Sequence, residues 1–126
     1  MQAGPRNSRT SRDMSLNSAG MREISRTAPM FAALGDETRL VLMARLSSDG
    51  PLSITQLTAG SAVTRQAITK HLNVLAGAGL VSDVRRGRER VWEFEPKQVE
   101  AARIYLEHVS RRWDEALARL KTFVED

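Results

Sequence analysis

From residue 29 onward, apolar and polar positions alternate with a helical period in five segments and with a strand period in two. Residues 29–34 form a short helical run closed by Gly35. Asp36 then caps a helix reaching about Ser48: its carboxylate can accept orphan amide hydrogens, and Glu37 suits the helix dipole. Leu40, Met43, Ala44 and Leu46 are its expected buried face. Asp49-Gly50-Pro51 is a turn signal. Ser53 caps a second short helix through Ile54 and Leu57, ended by Ala59-Gly60, and Thr64 caps a third that reaches about Ala78 and stops at Gly79. The period then switches. Val81, Val84, Val91, Trp92 and Phe94 predict two strands, over 80–86 and 88–95, with Arg86-Gly87-Arg88 as the hairpin tip. Pro96 ends the second strand. Beyond it the chain has neither Gly nor Pro, which allows one helix of about 28 residues, ~42 Å long at 1.5 Å per residue.

Two of these helices have a readable division of faces. A wheel over 64–78 gathers Ala67, Ile68, His71, Leu72, Leu75 and Ala78 on one arc and leaves Arg65, Gln66, Thr69, Lys70 and Asn73 beside it. His71 thus belongs with the packed residues. In the last helix, Val99, Ala102, Leu106, Val109, Trp113, Ala116, Leu120 and Phe123 are spaced alternately three and four apart, a heptad seam. Tyr105, Leu117 and Val124 widen the seam, as expected of a helix that packs on its own domain and on a second copy at once. A chain this small covers one side of such a helix but hardly its length, so the seam predicts a symmetric homodimer.

Residues 1–27 lack a sustained apolar period and are rich in Ser, Arg, Asn and Gly, so they are expected to form a disordered basic tail. The whole chain of 126 residues is one domain's worth, and 41% hydrophobic with 27% charged residues is ordinary for a soluble protein. No apolar run approaches the roughly 20 residues of a membrane-spanning helix, so no membrane partner is expected. With no cysteine in the chain, disulfides, zinc ribbons and thiol chemistry are excluded. No Gly-x-Ser-x-Gly, phosphate-loop, dinucleotide or His-Glu-x-x-His signature occurs, so neither an enzyme nor a cofactor is expected.

Charge adds a location. The net +4 resolves into +3 over 1–27, −1 over 28–63, +3 over 64–94 and −1 over 95–126. The second basic segment coincides with the third helix and the hairpin. Two short helices, a tight turn and an arginine-tipped hairpin are the order of a winged helix-turn-helix, whose second helix fits the major groove while the hairpin lies along the backbone or the adjacent groove. The polar face of the helix carries no acid. Thr64, Arg65, Gln66, Thr69, Lys70 and Asn73 are therefore candidate DNA contacts, with Gln66 suited to an adenine edge and Arg65 and Lys70 to guanine or phosphate. Arg86, Arg88 and Arg90 of the wing are candidate phosphate contacts, and Glu89 and Asp83 would pair with the remaining wing cations. The fold class expected is mostly helical with a small β-hairpin. Its divisions are the tail, a DNA-binding domain over 28–95 and a dimerisation helix over 96–126.

Phe31-Ala-Ala-Leu-Gly-Asp-Glu-Thr-Arg-Leu40, then Val63-Thr-Arg-Gln-Ala-Ile-Thr-Lys-His-Leu-Asn-Val-Leu75, Gly79-Leu-Val and the Arg86-Gly87-Arg88 wing together resemble the ArsR/SmtB family of bacterial winged-helix transcription regulators. The resemblance covers about residues 29–124. It implies a cytoplasmic homodimeric repressor on an operator of imperfect dyad symmetry, with Arg65, Gln66, Thr69 and Lys70 as its DNA-reading positions. The chain departs from the family's metal sensors, which use cysteine pairs or a His and acidic set on the terminal helix. His108 with Glu107, Asp114 or Glu115 is the one such set available, and a lone imidazole among helix carboxylates falls short of the three or four ligands zinc wants, so no metal is expected. The alternative reading is a sequence-tolerant architectural nucleic-acid binder of the same fold. The operator, regulated genes and any small-molecule effector are not legible.

Overall fold

The computed structural model describes residues 17–125. In chain order the elements are α1 (Ser18–Leu34), α2 (Glu37–Asp49), β1 (Leu52–Ser53), α3 (Ile54–Thr58), α4 (Arg65–Gly77), β2 (Val81–Arg86), β3 (Glu89–Phe94) and α5 (Pro96–Glu125). The result is mostly helical, with a three-stranded antiparallel sheet in the order β1-β3-β2. This is the expected winged helix-turn-helix, with α3 and α4 as the helical pair and β2–β3 as the wing. None of the described helices is long and apolar enough to cross a membrane.

Local chemistry explains most boundaries. Asp36 caps α2 by accepting from the Arg39 amide, and Ser53 caps α3 in a reciprocal box with Gln56. Gly79, at φ +79°, ends α4 in a Schellman motif: the Leu80 amide donates to the Leu75 carbonyl and the Gly79 amide to that of Ala76. A Cβ at Gly79 would also come within 2.9 Å of the Gln98 side chain at the start of α5, so the stop signal doubles as a close approach between elements. Pro96 occupies the first position of α5, where its missing amide hydrogen costs no helical bond.

The core is built from Met30 and Ala33 of α1, Leu42 and Leu46 of α2, Leu57 of α3, Ile68, Leu72 and Leu75 of α4, Leu80, Val81 and Trp92, with Ala102 of α5 joining it. Three expectations are corrected here. Residues 18–27 are not part of a tail: they are the first turns of α1, capped by Asn17, with Thr27 buried and its hydroxyl donating to the Glu23 carbonyl at 2.6 Å. A threonine filling an apolar slot hid the period, and Pro29, read as a helix start, sits in the interior of α1. The rest of the expected tail, 1–16, lies outside the described residues.

The second correction concerns α2. Its buried residues are Leu42 and Leu46, with Met43 half-buried, while Leu40 is 52% exposed and Ala44 is exposed. The inward face begins with Arg39, whose guanidinium turns inward to bond the Ala33 carbonyl, so a charged residue in an inner position displaced the apparent stripe. The third is β1. Leu52 pairs with Trp92 and Ser53 with Val91, a two-residue strand too short to leave any periodicity.

Candidate nucleic-acid interface

The polar face of α4 is displayed as its wheel requires. Thr64, Arg65, Gln66, Lys70 and Asn73 are exposed and Thr69 is half-buried, while Ile68, Leu72 and Leu75 anchor the opposite side. The Thr64 hydroxyl oxygen accepts from the Ala67 amide at 3.1 Å, so this residue caps the helix and keeps its hydroxyl proton to donate outward. Thr69 differs. Its hydroxyl donates to the Arg65 carbonyl at 2.9 Å, which leaves an oxygen lone pair and a methyl group to offer.

The hairpin turns more tightly than its sequence suggested. Arg86 pairs with Glu89 and Arg85 with Arg90, so the loop is the two-residue Gly87-Arg88 rather than a three-residue tip. Gly87, at φ +64°, supplies the first position of a hairpin turn that only glycine occupies without strain. Because side chains alternate across a strand, this register puts Arg85 and Arg90 on one face and Arg86 on the other.

Between α4 and the wing lies a cleft of about 600 Å³. Arg65, Thr69 and Asn73 line one wall, and Arg85, Arg88 and Arg90 the other. Trp92 and the start of α3, including Thr55, line its base. The structure thus brings together five of the residues expected to contact DNA: Arg65, Thr69, Asn73, Arg88 and Arg90. Thr64, the cap of α4, and Gln66 and Lys70 on the helix stand outside the cleft. Arg86 is not in it: its guanidinium lies 3.4 Å from Glu93 on the other face of the hairpin, which corrects its grouping with Arg88 and Arg90. Arg85 and Thr55 enter the set. Arg85 would have been found by placing the turn at Gly87-Arg88, since alternation then pairs it with Arg90.

Charge is distributed unevenly in the cleft. Arg90, expected as a phosphate contact, is ion-paired to Asp83, and the Arg90 hydrogen bond holds the Asp83 carboxyl below the usual carboxylate range despite partial desolvation. The acid that pairs with Arg86 is Glu93 and not Glu89, which instead lines the cleft. Among the described residues, Arg65, Lys70, Arg85 and Arg88 have no ion-pair partner. A polyanion would meet these four cations without first displacing a carboxylate.

The two histidines are both engaged within the chain. His71 Nδ1 lies 3.2 Å from Nη1 of Arg39 and 3.8 Å from Asp36, which places it with the packed face of α4. His108 Nδ1 lies 3.3 Å from Glu23 on α1, so it is an inter-helix contact rather than a bare surface residue. Glu107 is held by Arg103 at 2.6 Å. Among the described residues, no group of three or more His, Asp or Glu side chains is arranged to hold a metal ion.

The α5 seam divides in two. Near its start α5 packs on α1: Tyr105 stacks at a tilt on Phe31 at 5.8 Å, Ala102 is 6% exposed and Val109 is buried, with Val99 half-buried. Leu106, between them, is exposed, and further along Trp113 is 65% and Phe123 79% exposed, with Ala116, Leu117, Leu120 and Val124 likewise exposed. Ala102 and Val109 therefore spend their apolar surface inside one chain.

A family model described as a helix-turn-helix domain matches residues 34–84. Over 71 residues the chain is 44% identical to an uncharacterized HTH-type transcriptional regulator of Bacillus subtilis (strain 168), covering 52% of this chain and 77% of that one. It is 39% identical over 87 residues to an HTH-type transcriptional regulator of Mycobacterium tuberculosis, covering 69% of this chain and 78% of that one. Among solved structures it is similar to an ArsR-like transcriptional regulator from Rhodococcus sp. RHA1, with a TM-score of 0.64, 36% identity, and coverage of 79% of this chain and 92% of that one.

Proposed function

The chain belongs to the ArsR family of winged helix-turn-helix transcriptional regulators, and from that premise we propose that it is a homodimeric, sequence-specific repressor of the cytoplasm that binds a palindromic operator without cysteine-based metal sensing. The observation that carries this reading is the cleft between α4 and the wing. It sets three arginines without ion-pair partners, Arg65, Arg85 and Arg88, beside a helix that contains no acidic residue. Cations on two walls suit a phosphate backbone that enters between them while α4 lies in the major groove.

Within that division of labour, residues 28–95 contact DNA and the outer half of α5 joins two copies. Thr64, Arg65, Gln66, Thr69, Lys70 and Asn73 meet base edges and adjacent phosphates, and Arg85, Arg88 and Arg90 grip the backbone. The exposed seam of Leu106, Trp113, Ala116, Leu120 and Phe123 supports homodimerisation, because an apolar stripe of that length is unfavourable in water unless covered. A symmetric dimer would place two α4 helices about one turn of DNA apart, ~34 Å, and so read a palindrome.

The test is selection from a random duplex pool by the full chain, followed by footprinting on the region upstream of its own gene. The expected result is an enriched inverted repeat bound at least ~10³-fold more tightly than random DNA at physiological salt. A ratio near one would instead identify a sequence-tolerant architectural binder, and binding that requires added zinc or arsenite would overturn the metal-independent assignment.

A further inference from the structure

The polar contacts that fix α4 against the rest of the domain meet at one side chain outside the DNA face. Arg39, in the first turn of α2, donates from Nε to the carbonyl of Ala33 at the end of α1, at 2.5 Å. Its Nη1 lies 3.2 Å from Nδ1 of His71 on α4. Asp36, which caps α2 by accepting from the Arg39 amide at 3.0 Å, lies 3.8 Å from the same Nδ1. One guanidinium therefore bridges α1 and α4 from its place on α2, and α1 is also the helix on which α5 packs.

The chemistry of this bridge fixes a tautomer. A guanidinium has only donors and keeps its charge in proteins, so Nδ1 of His71 must accept and the ring proton of the neutral imidazole sits on Nε2. The rest of the attachment of α4 is apolar, through Ile68, Leu72 and Leu75. Apolar burial is non-directional and resists a small roll of the helix poorly, whereas a hydrogen bond has a preferred line. Base reading tolerates little roll, because recognition geometries hold to about 0.5 Å and 10–20°. Lys70 and Thr69 directly precede His71, so any roll of the helix displaces them at once.

We infer that Arg39 and His71 are positioning residues for base recognition: their hydrogen bond sets the roll of α4 and thereby the register at which Gln66, Thr69 and Asn73 meet the bases. This rests on the reading of α4 as the base-reading helix. Neither residue lines the cleft between α4 and the wing, and their effect passes through the helix.

The experiment compares the full-length wild type with His71→Leu, which removes the acceptor but keeps an apolar volume, and His71→Asn, whose carbonyl oxygen falls near the place of Nδ1. The probes are a duplex enriched by the wild type from a random pool and a random duplex of the same length. His71→Leu is expected to bind the enriched duplex about tenfold more weakly, the size of a lost hydrogen bond to a charged group, and the random duplex as the wild type does. His71→Asn recovers most of the loss, and a long-range ¹H–¹⁵N spectrum of the wild type shows the Nε2–H tautomer. Should His71→Leu not fold, Arg39→Lys, which keeps the charge but not the two-pronged reach, is expected to lose discrimination in the same way. Unchanged affinity in His71→Leu, an equal loss on both duplexes, failure of His71→Asn to rescue, or an Nδ1–H tautomer overturns the inference while leaving the DNA reading in place. A wild type that enriches no duplex overturns the DNA reading and this inference with it.

Discussion

Gln66 and Arg88 stand for two kinds of contact that one surface must combine. Gln66 is a neutral amide on α4 with paired donor and acceptor, suited to a base edge; Arg88 is a cation at the turn of the wing with no ion-pair partner among the described residues. Gln66→Ala is expected to relax preference at one base position at a cost of roughly 1 to 3 kcal/mol, and Arg88→Ala to weaken all duplexes alike and lower the salt slope by about one. Titrations over singly substituted duplexes at several salt concentrations separate the two, and equal effects of both variants on random DNA would contradict the assigned roles. The face of α4 was legible because a capped helix fixes side-chain direction every 100°, so Thr64 and the period suffice to place its neighbours. The wing was less so. Whether Arg85 or Arg86 enters the cleft depends on a turn of two residues or three, and a single-residue slip reverses every side chain.

At the scale of elements, α1 and α2 show what pattern reading loses. Thr27 is polar by composition and buried in fact, because its hydroxyl bonds a carbonyl of its own helix. Arg39 is charged yet faces inward, because Ala33 and His71 offer acceptors there. Both invert the rule that polar means outward, and each hid the true face of its helix. The cap of α2 also makes an acid prediction. The Arg39 amide bond, then the nearby charge of Arg39, hold the Asp36 carboxyl below the usual carboxylate range against partial desolvation. A lowered folded-state value means folding favours the ionised form. That contribution is present above the ordinary carboxylate value of about 4 and is lost as pH falls through the lower folded value. Asp83 beside Arg90 and Glu100 beside Arg103 act in the same direction. Thermal midpoints are therefore expected to drop on acidification below about pH 4, less steeply in Asp36→Asn, which still caps but does not titrate. Equal slopes for the two proteins would remove Asp36 from the account.

At the scale of the whole molecule, α5 decides how much surface a single copy leaves uncovered. Its first half belongs to the domain through Ala102, Tyr105 and Val109, and its second half presents Trp113, Leu117, Leu120, Phe123 and Val124 to solvent. If two copies cover each other there, Leu120→Glu places like charges at the seam. The expected product is a monomer at micromolar concentration by sedimentation, with operator affinity reduced at least ~10²-fold because the two half-sites no longer act as one ligand. Trp113 emission would shift to the red as it loses its cover. A dimeric Leu120→Glu protein of wild-type affinity would place the interface elsewhere.

Local pattern alone yields the order of the helices and the two wing strands, the capped ends of α2, α3 and α4, the acid-free face of α4 and the heptad seam of α5. Each of these is a property of neighbours within a few residues, where backbone geometry is periodic and caps are local. Packing between distant parts of the chain settled that residues 18–27 are helical, that Leu42 rather than Leu40 is buried, and that β1 joins the sheet at Trp92. It also decided that Arg85 shares a cleft with Arg65 and that Arg39 reaches His71. Those outcomes depend on partners distant in the chain, whose hydrogen-bond acceptors and apolar surfaces settle whether a polar side chain points inward and which way a strand faces.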